Sequence, residues 1–404
     1  MKCGLLGRTL KHSYSPRIHA LLGDYPYVLY EKEPQELESF LRQEAFDGIN
    51  VTMPYKTAVI PYLDELTPIA KELGAVNTIV RRNGRLIGHN TDHYGFLALL
   101  RRSGLSPAGK KCLVLGSGGA SKVVCAVLRE ALANVVVISR QGEHNYDNLH
   151  LHSDAALLIN TTPVGMYPDT GHSPINLDLF PKLEGVLDVI YNPARTQLLL
   201  DAEARGIPCA NGLYMLVAQA MEASQRFTGC QVPEEKLDMV YRQLRYEMEN
   251  ILLIGMPGCG KSTVGKLLAG KTGRTFADCD ALVEEMAKKS IPRIFAEDGE
   301  EAFRRLETAA LSQLGKQSGL IIATGGGCVT RPENDALLRQ NGRIFWLQRD
   351  LDRLSTAGRP LSMAQPLNQL YNSRKDLYAA LADHIVANNN TVDNTVSQIL
   401  EVLL

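Results

Sequence analysis

This 404-residue chain predicts an α/β fold with mostly parallel sheets, on three observations. Short β-branched runs at 46–51, 135–138, 156–159 and 342–347 alternate with helix-forming stretches, the pattern of strand–helix–strand units. Two apolar runs, Lys111-Cys112-Leu113-Val114-Leu115 and Asn250-Ile251-Leu252-Leu253-Ile254, feed directly into glycine-rich loops that open helices. The chain is also long for one core and comfortable for two or three. A charged, helix-prone stretch from Pro233 to Glu249 ends where the second of those apolar runs begins, which puts a boundary near Met248.

Composition narrows the class of partner. The chain is 45% hydrophobic and 22% charged with a formal net charge of -1, so nothing favours nucleic acid or an anionic membrane surface. No run approaches the roughly 18–20 apolar residues of a membrane span, and the start breaks too soon for a secretory segment. The 8 cysteines are scattered without Cys-x-x-Cys pairs, which reads as reduced thiols in a cytoplasm. Cys259, inside the second loop, reads as a neutral spacer. Small-molecule substrates are the expected partners.

The first loop is Gly116-Ser117-Gly118-Gly119-Ala120-Ser121. Gly116 allows a tight turn, Gly118 admits a pyrophosphate, and the small Ser121 stands where a third glycine often lies. The helix opening near Ala120 offers free N–H groups to phosphate. An ordinary strand-to-helix turn is the competing reading. The next strand closes on Ile138-Ser139-Arg140, with an arginine where an NAD enzyme places its ribose-binding carboxylate, so a 2′-phosphate and NADP are favoured. Upstream lie three polar clusters. In His12-Ser13-Tyr14-Ser15-Pro16, Ser15 reads as an N-cap and Pro16 as the first helical residue. In Asn50-Val51-Thr52-Met53-Pro54-Tyr55-Lys56, a strand enters a helix whose first turn holds Lys56, against the helix dipole. Such a lysine suits proton exchange with a carbonyl oxygen. In Gly88-His89-Asn90-Thr91-Asp92, Asp92 is either a cap or a partner in that exchange.

These clusters occur, with Gly74-Ala75-Val76-Asn77-Thr78, Asn160-Thr161-Thr162-Pro163-x-Gly165-Met166 and Met215-Leu216-Val217-x-Gln219, in the order seen in shikimate dehydrogenases, and residues 1–230 resemble that family. The resemblance implies a substrate-binding α/β domain at 1–100 and a Rossmann NADP-binding domain at 101–230, whose last helix returns to the first. It implies that Ser13, Ser15, Thr52, Lys56, Asn77, Asp92 and Gln219 line the substrate site, with Lys56 and Asp92 as catalytic pair. Gly116, Gly118, Gly119, Ala120, Ser121, Arg140, Thr161 and Met215 would hold NADP(H). One departure stands out: between Arg140 and Ala156 the chain is shorter and more polar than the expected helix, and its His144, His150 and His152 read as solvated loop residues.

The second loop, Gly255-Met256-Pro257-Gly258-Cys259-Gly260-Lys261-Ser262-Thr263, has the lysine and hydroxyl of a nucleoside-triphosphate loop. Its amides would cradle phosphates, Lys261 would reach the β/γ oxygens, and Ser262 would hold Mg²⁺. Phe276-Ala277-Asp278-Cys279-Asp280 puts two carboxylates on one face of an extended segment, or caps a helix opening at Ala281. Arg304 sits in a helical run whose charges also suit plain i,i+4 pairing. Gly325-Gly326-Gly327 offers bare backbone to a ligand, and Arg353, Arg359 and Arg374 suit anionic groups.

With Arg359-Pro360-Leu361 and Arg374-x-x-Leu377-Tyr378, these motifs resemble shikimate kinase over 250 to about 390. That implies a P-loop kinase domain with a parallel sheet at 249–404, joined by a helical linker at 231–248. Asp280, Arg304, Gly326, Gly327 and Arg374 would bind shikimate, with Asp280 catalytic. Ser262 and Asp278 would hold the metal. Gly258, Gly260, Lys261, Ser262, Thr263 and Arg359 would bind ATP, Arg359 from a brief lid. The expected activity is NADPH-dependent reduction of 3-dehydroshikimate followed by phosphorylation of shikimate with ATP and Mg²⁺. A quinate reductase using NAD is opposed by Arg140. A ligand-sensing module regulating the kinase is opposed by the presence of both Lys56 and Asp92.

Overall fold

The computed structural model describes residues 1–10, 13–43, 45–354 and 366–403. Contacts divide the chain into two compact units. One comprises Met1–Val164, Ser173–Tyr191 and Asp201–Leu244; the other comprises Gly165–His172, Asn192–Leu200 and Arg245–Leu404. No helix among the described residues is long and apolar enough to cross a membrane.

The first unit holds two sheets. Strands β1 (Cys3–Gly7), β2 (Tyr27–Glu31), β3 (Gly48–Val51), β4 (Glu65–Leu66), β5 (Thr78–Arg82) and β6 (Arg85–His89) form one sheet, ordered β2-β1-β3-β5-β6-β4. β1 runs parallel to β2 and β3, whereas β5 is antiparallel to both β3 and β6. The β5–β6 pairing comes from a two-residue hairpin at Asn83 and Gly84, both with positive φ, the turn that an Asn-Gly pair favours. The second sheet joins β7 (Lys111–Leu115), β8 (Asn134–Ile138), β9 (Leu157–Asn160), β10 (Gly185–Asp188) and β11 (Cys209–Ala210), all parallel, in the order β11-β10-β9-β7-β8. The sense of winding reverses at β7, so the loop after β7 opens at the crevice where such sheets bind ligands.

The helix Asp92–Ser103 leads from the first sheet to the second and buries Phe96, Leu99 and Leu100 against Cys112, Val114 and the apolar face of the helix Gly119–Glu130. It also packs on the helix Leu213–Thr228. Gly95 makes that packing close: a Cβ there would lie 2.7 Å from the Met215 carbonyl oxygen. The helix ends Asp92 and Met215 thereby reach one place.

The second unit is built on β12 (Asn250–Ile254), β13 (Thr275–Asp278), β14 (Leu320–Ala323), β15 (Gly342–Gln348) and β16 (His384–Ala387), all parallel, in the order β13-β14-β12-β15-β16. Its central strands are buried on both faces, which is why Ile251–Ile254 and Ile344–Leu347 read as continuous apolar runs. β12 lies where the winding reverses, and the second glycine loop follows it. The charged stretch before it is the helix Glu234–Met248.

The second unit is not a single cut at Met248, because two earlier segments cap its helices. The Tyr167 hydroxyl donates to the carbonyl of Gly315, the last residue of the helix Gly299–Gly315, at 2.6 Å. Arg195 donates from its backbone N–H to the Gln340 carbonyl (2.8 Å) and from Nη1 to that of Arg339 (3.0 Å), at the end of the helix Glu333–Arg339. These bonds satisfy carbonyls that a helix leaves without intrahelical partners, and the guanidinium stands at the negative end of the dipole. Each is worth about 0.5–1.5 kcal/mol. The Tyr167→Phe, Arg195→Ala double variant should therefore melt several degrees lower than the parent; a calorimetric scan with an unchanged transition would show that water replaces both caps without loss.

Candidate active sites

In the first unit the polar clusters meet in a cavity of about 500 Å³. Ser13, Ser15, Thr52, Lys56, Asn77, Asp92 and Gln219 all line it, with Ala120 and Met215. Lys56 Nζ lies 2.6 Å from Asp92 Oδ2. Both side chains are half-buried, 32% and 17% exposed, so the pair faces the cavity and adds little to stability. Behind it is a buried polar network. Asn77 accepts the Thr91 N–H at Oδ1 (2.7 Å) and donates from Nδ2 to Thr91 Oγ1 (3.0 Å). Asn50 donates to Thr78 Oγ1 (3.0 Å) and accepts the Tyr27 hydroxyl (2.7 Å). Because every member has a partner, the network fixes Asn77 and the start of the helix that carries Asp92.

Two local expectations fail here. Lys56 is not in the first turn of a helix: residues 53–59 form successive turns leading to the short 3₁₀ segment Ile60–Tyr62. The stretch closes only isolated turn bonds, from the Tyr55 N–H to the Thr52 carbonyl (2.9 Å) and from the Val59 N–H to the Tyr55 carbonyl (3.1 Å), so no continuous helix forms and no helix dipole acts on the lysine. Its place is set instead by the end of β3 and by the bond from the Val76 N–H to the Lys56 carbonyl at 2.7 Å. Ser15 is the first helical residue rather than the N-cap, and it is Ser13 Oγ that accepts the Ser15 N–H at 3.2 Å. Asp92 opens its helix after Thr91, so the acid is both a first-turn anion and the partner of Lys56.

The dinucleotide loop fits its expected ligand in backbone terms. Gly116 has φ 101°, and nothing lies within 4 Å of a Cβ built on Gly118 or Gly119, so the start of the helix Gly119–Glu130 faces open space. Ser121 is buried beside Cys125, in the packing role of a third glycine. Thr161 donates its hydroxyl to the Leu115 carbonyl at 2.6 Å and so ties the two loops together. Arg140 is exposed, just past β8. The shortened stretch after it is stitched by bonds from Ser139 N–H to the His144 carbonyl (3.1 Å) and from Asn148 Nδ2 to the Glu143 carbonyl (2.7 Å), and then forms the 3₁₀ turn Leu149–His152. His150 is exposed as expected, but His152 is buried, edge-on to His144 at 4.8 Å. Burial and the neighbouring His144 lower its pKa, which keeps the ring neutral.

In the second unit a cavity of about 450 Å³ gathers Gly258, Gly260, Lys261, Ser262, Thr263, Asp278, Asp280, Arg304, Gly326, Gly327 and Arg374. Arg359 lies outside the described residues. Lys261 is buried, and Nζ donates to the carbonyls of Gly255 (2.9 Å) and Met256 (3.1 Å). Ser262 donates its hydroxyl to Asp278 Oδ2 at 2.6 Å, which places two hard oxygen donors side by side. The extended reading of 276–280 needs correction. Asp278 ends β13 and caps the helix Cys279–Ala287 through the Asp280 N–H, so Asp280 sits in a helical first turn. The cap uses Oδ1 and the bond from Ser262 uses Oδ2, two different oxygens of one carboxylate.

Arg304 is almost fully buried and paired with Glu307 (2.8 Å) and Glu300 (3.0 Å). Burial pushes the Glu307 carboxyl up, against the pull of Arg304. The triple glycine is what allows this pair: a Cβ on Gly325 would lie 2.1 Å from Glu307 Oε1, and one on Gly327 2.1 Å from Arg304 Nη1. Arg374 donates to the Gly326 carbonyl at 3.0 Å, and the Tyr378 hydroxyl donates to the same atom. Asn388, at the far end of the sheet, holds the phosphate loop by donating to the Cys259 carbonyl at 2.6 Å. Cys259 itself is buried in the core. Sequence reading assigned no role to Glu307, to Tyr378, which it quoted only within a motif, or to Asn388. The first two stand three and four residues after Arg304 and Arg374, on the same helix faces, a spacing that could have flagged them.

Comparison with known proteins finds relatives for both parts of the chain. Family models match at residues 5–79 (shikimate dehydrogenase substrate binding domain) and 257–404 (shikimate kinase). A shikimate dehydrogenase (NADP(+)) of Caldanaerobacter subterraneus is 38% identical over 273 residues, covering 61% of this chain and 96% of that protein. The Thermus thermophilus shikimate 5-dehydrogenase, solved with NADP(H) and shikimate, is 33% identical with a TM-score of 0.55, over 60% of this chain and 99% of that one. A chorismate mutase/shikimate 5-dehydrogenase fusion from Clostridium acetobutylicum is 33% identical with a TM-score of 0.57, over 60% of this chain and 96% of that one. The chain therefore belongs to the shikimate dehydrogenase family in its N-terminal part and carries a shikimate kinase domain after it, an oxidoreductase and a kinase on one polypeptide.

Proposed function

We propose that this protein reduces 3-dehydroshikimate to shikimate with NADPH and then phosphorylates the 3-hydroxyl of shikimate with ATP, in the cytoplasm. The observation that carries the first step is the Lys56–Asp92 pair at 2.6 Å, in a cavity whose wall includes Ala120 and Met215 from the dinucleotide half. When bound, NADPH supplies the hydride. Lys56 exchanges the proton on the substrate oxygen, and Asp92 holds the ammonium in place and shares the proton. Ser13, Ser15, Thr52, Asn77 and Gln219 bind the remaining oxygens of the substrate. Arg140 selects the 2′-phosphate of the coenzyme.

In the kinase, Ser262 and Asp278 supply the oxygen ligands that fit Mg²⁺, which neutralises phosphate charge when bound. Lys261 exchanges its loop carbonyls for phosphate oxygens. Arg304 and Arg374 clamp the shikimate carboxylate, Gly326 and Gly327 let the ring approach the backbone, and Asp280 orients or deprotonates the hydroxyl. Positioning and charge neutralisation carry this chemistry. Residues 1–100, 101–230, 231–248 and 249–404 are taken as substrate domain, dinucleotide domain, linker and kinase.

Lys56→Ala should lower kcat for dehydroshikimate reduction by roughly 10²–10⁴ and leave phosphorylation intact. Near-normal reduction would remove Lys56 from the chemistry. Arg140→Ala should raise KM for NADPH while barely changing that for NADH, and equal losses with both coenzymes would make Arg140 a structural residue only. Arg304→Leu or Arg374→Leu should each weaken shikimate use by about 10–150-fold, the loss of a charge-assisted bond, while ATP binding survives. Intact shikimate kinetics in Arg304→Leu would confine that guanidinium to its ion pairs with Glu300 and Glu307.

A further inference from the structure

Four cations among the described residues line the kinase cavity: Lys261, Arg304, Arg349 and Arg374. Three of them already donate to oxygens of the protein. Lys261 is bonded to two loop carbonyls, Arg304 to two carboxylates, and Arg374 to the Gly326 carbonyl. Arg349 differs. Its Nε is buried without a hydrogen-bond partner among the described residues, and no carboxylate among them pairs with it. An arginine cannot shed its charge to escape that position, and a buried donor left unbonded costs about 1–3 kcal/mol.

The fold decides what lies beside it. Arg349 follows directly on β15, which pairs in parallel with β12 in the register Ile254↔Trp346. Both strands therefore deliver their chain ends to the same edge, and Arg349 emerges beside the phosphate loop. A Cβ built on Gly260 would lie 3.6 Å from Arg349 Nη1. The other polar side chain at that spot, Asn388, is already spent: its Nδ2 donates to the Cys259 carbonyl and its Oδ1 accepts the Thr395 hydroxyl at 2.7 Å. The loop itself turns through positive-φ Gly255, Gly258 and Gly260 into the helix Lys261–Thr272, so its free amides and helix end point into the same space. By contrast, Asp280, Arg304 and Glu307 gather around Gly325 and Gly327.

We propose that Arg349 is a binding residue for the polyphosphate chain of the nucleotide, donating its planar fork to phosphate oxygens at the Gly260 side of the loop. This rests on the kinase reading of the cavity and deepens it. An arginine suits the place because its charge is permanent and its two terminal Nη groups, one of them beside Gly260, can bond two phosphate oxygens at once, which a lysine cannot do. It puts a second cation on the phosphates from the strand end, opposite Lys261 on the helix.

The test uses the full-length protein and its Arg349→Ala and Arg349→Lys variants. Binding of ADP and of inorganic tripolyphosphate is measured by calorimetry, alongside KM for ATP and for shikimate and the melting temperature. Arg349→Ala should weaken ADP and tripolyphosphate alike by about tenfold or more and raise KM for ATP by a similar factor. KM for shikimate and NADPH-linked reduction should not change, the melting temperature should hold or rise as the unbonded donor is removed, and Arg349→Lys should recover part of the loss. Weakened ADP with unchanged tripolyphosphate would overturn the proposal by placing the guanidinium on the nucleoside. Unchanged binding of both, or a loss explained by a lower melting temperature, would overturn it as well. A parent protein that binds neither probe would instead overturn the nucleotide reading of the cavity, a failure visible before any variant is made.

Discussion

A parallel strand can only deliver its chain end to the same edge of the sheet as its neighbours, and both sites of this protein depend on that constraint. β7 and β9 end together, so the glycine loop after one and Thr161 after the other meet and bond at 2.6 Å through the Leu115 carbonyl. β12, β14 and β15 end together, so a phosphate loop, a triple glycine and Arg349 surround one cavity although nearly a hundred residues separate the first from the last. No local propensity assembles these groups. Ladder hydrogen bonds do it, and the connecting helices have only to close the path.

What the constraint brings together has then to be kept from collapsing or repelling. The kinase cavity places Asp280, Glu307 and Arg304 within reach of one another in a half-dry space. A buried Arg–carboxylate pair is worth little net stability, because desolvation offsets much of the attraction. Its value here lies in direction. Glu307 and Glu300 hold Arg304 in one orientation, and the missing side chains of Gly325 and Gly327 make room for both heads. In the dehydrogenase cavity the same task falls to neutral groups. Asn50, Asn77, Thr78 and Thr91 satisfy one another and leave Lys56 and Asp92, the only charged pair among those lining residues, facing the substrate space. A neutral scaffold around one ion pair suits proton exchange, whereas a charged scaffold suits the polyphosphate of a nucleotide.

The two halves keep their chemistry apart but not their chain. Gly165–His172 and Asn192–Leu200 cluster with the kinase fold, where Tyr167 and Arg195 close helix ends. A fused chain fixes the two activities at equal numbers, and it also lets one half supply caps to the other's helices. The boundary at Met248 describes where motifs change. It does not describe where contacts change, because segments lying in the first half by sequence pack with the second.

The sequence by itself determined the fold class, the positions of both phosphate-type loops and about half of the residues that line the two cavities. It could do so because those features are local: an apolar run, a glycine that must turn, a helix start, a lysine after Gly-x-Gly. The tertiary structure alone decided what depends on pairing at a distance. That Asp92 faces Lys56 rests on the β3–β5–β6 pairing and on the asparagine network, since no helix turn forms at Lys56. That Asp278 serves a cap with one oxygen and Ser262 with the other could not be read from an Asp-x-Asp spacing. Burial was equally hidden: His152 and Glu307 look like solvated surface residues in the sequence, yet both lie in the interior. The physical reason is the same in each case. Backbone turns and apolar periods are written into neighbouring residues, whereas the partner of a polar side chain is chosen by which strand ends the sheet brings to its edge.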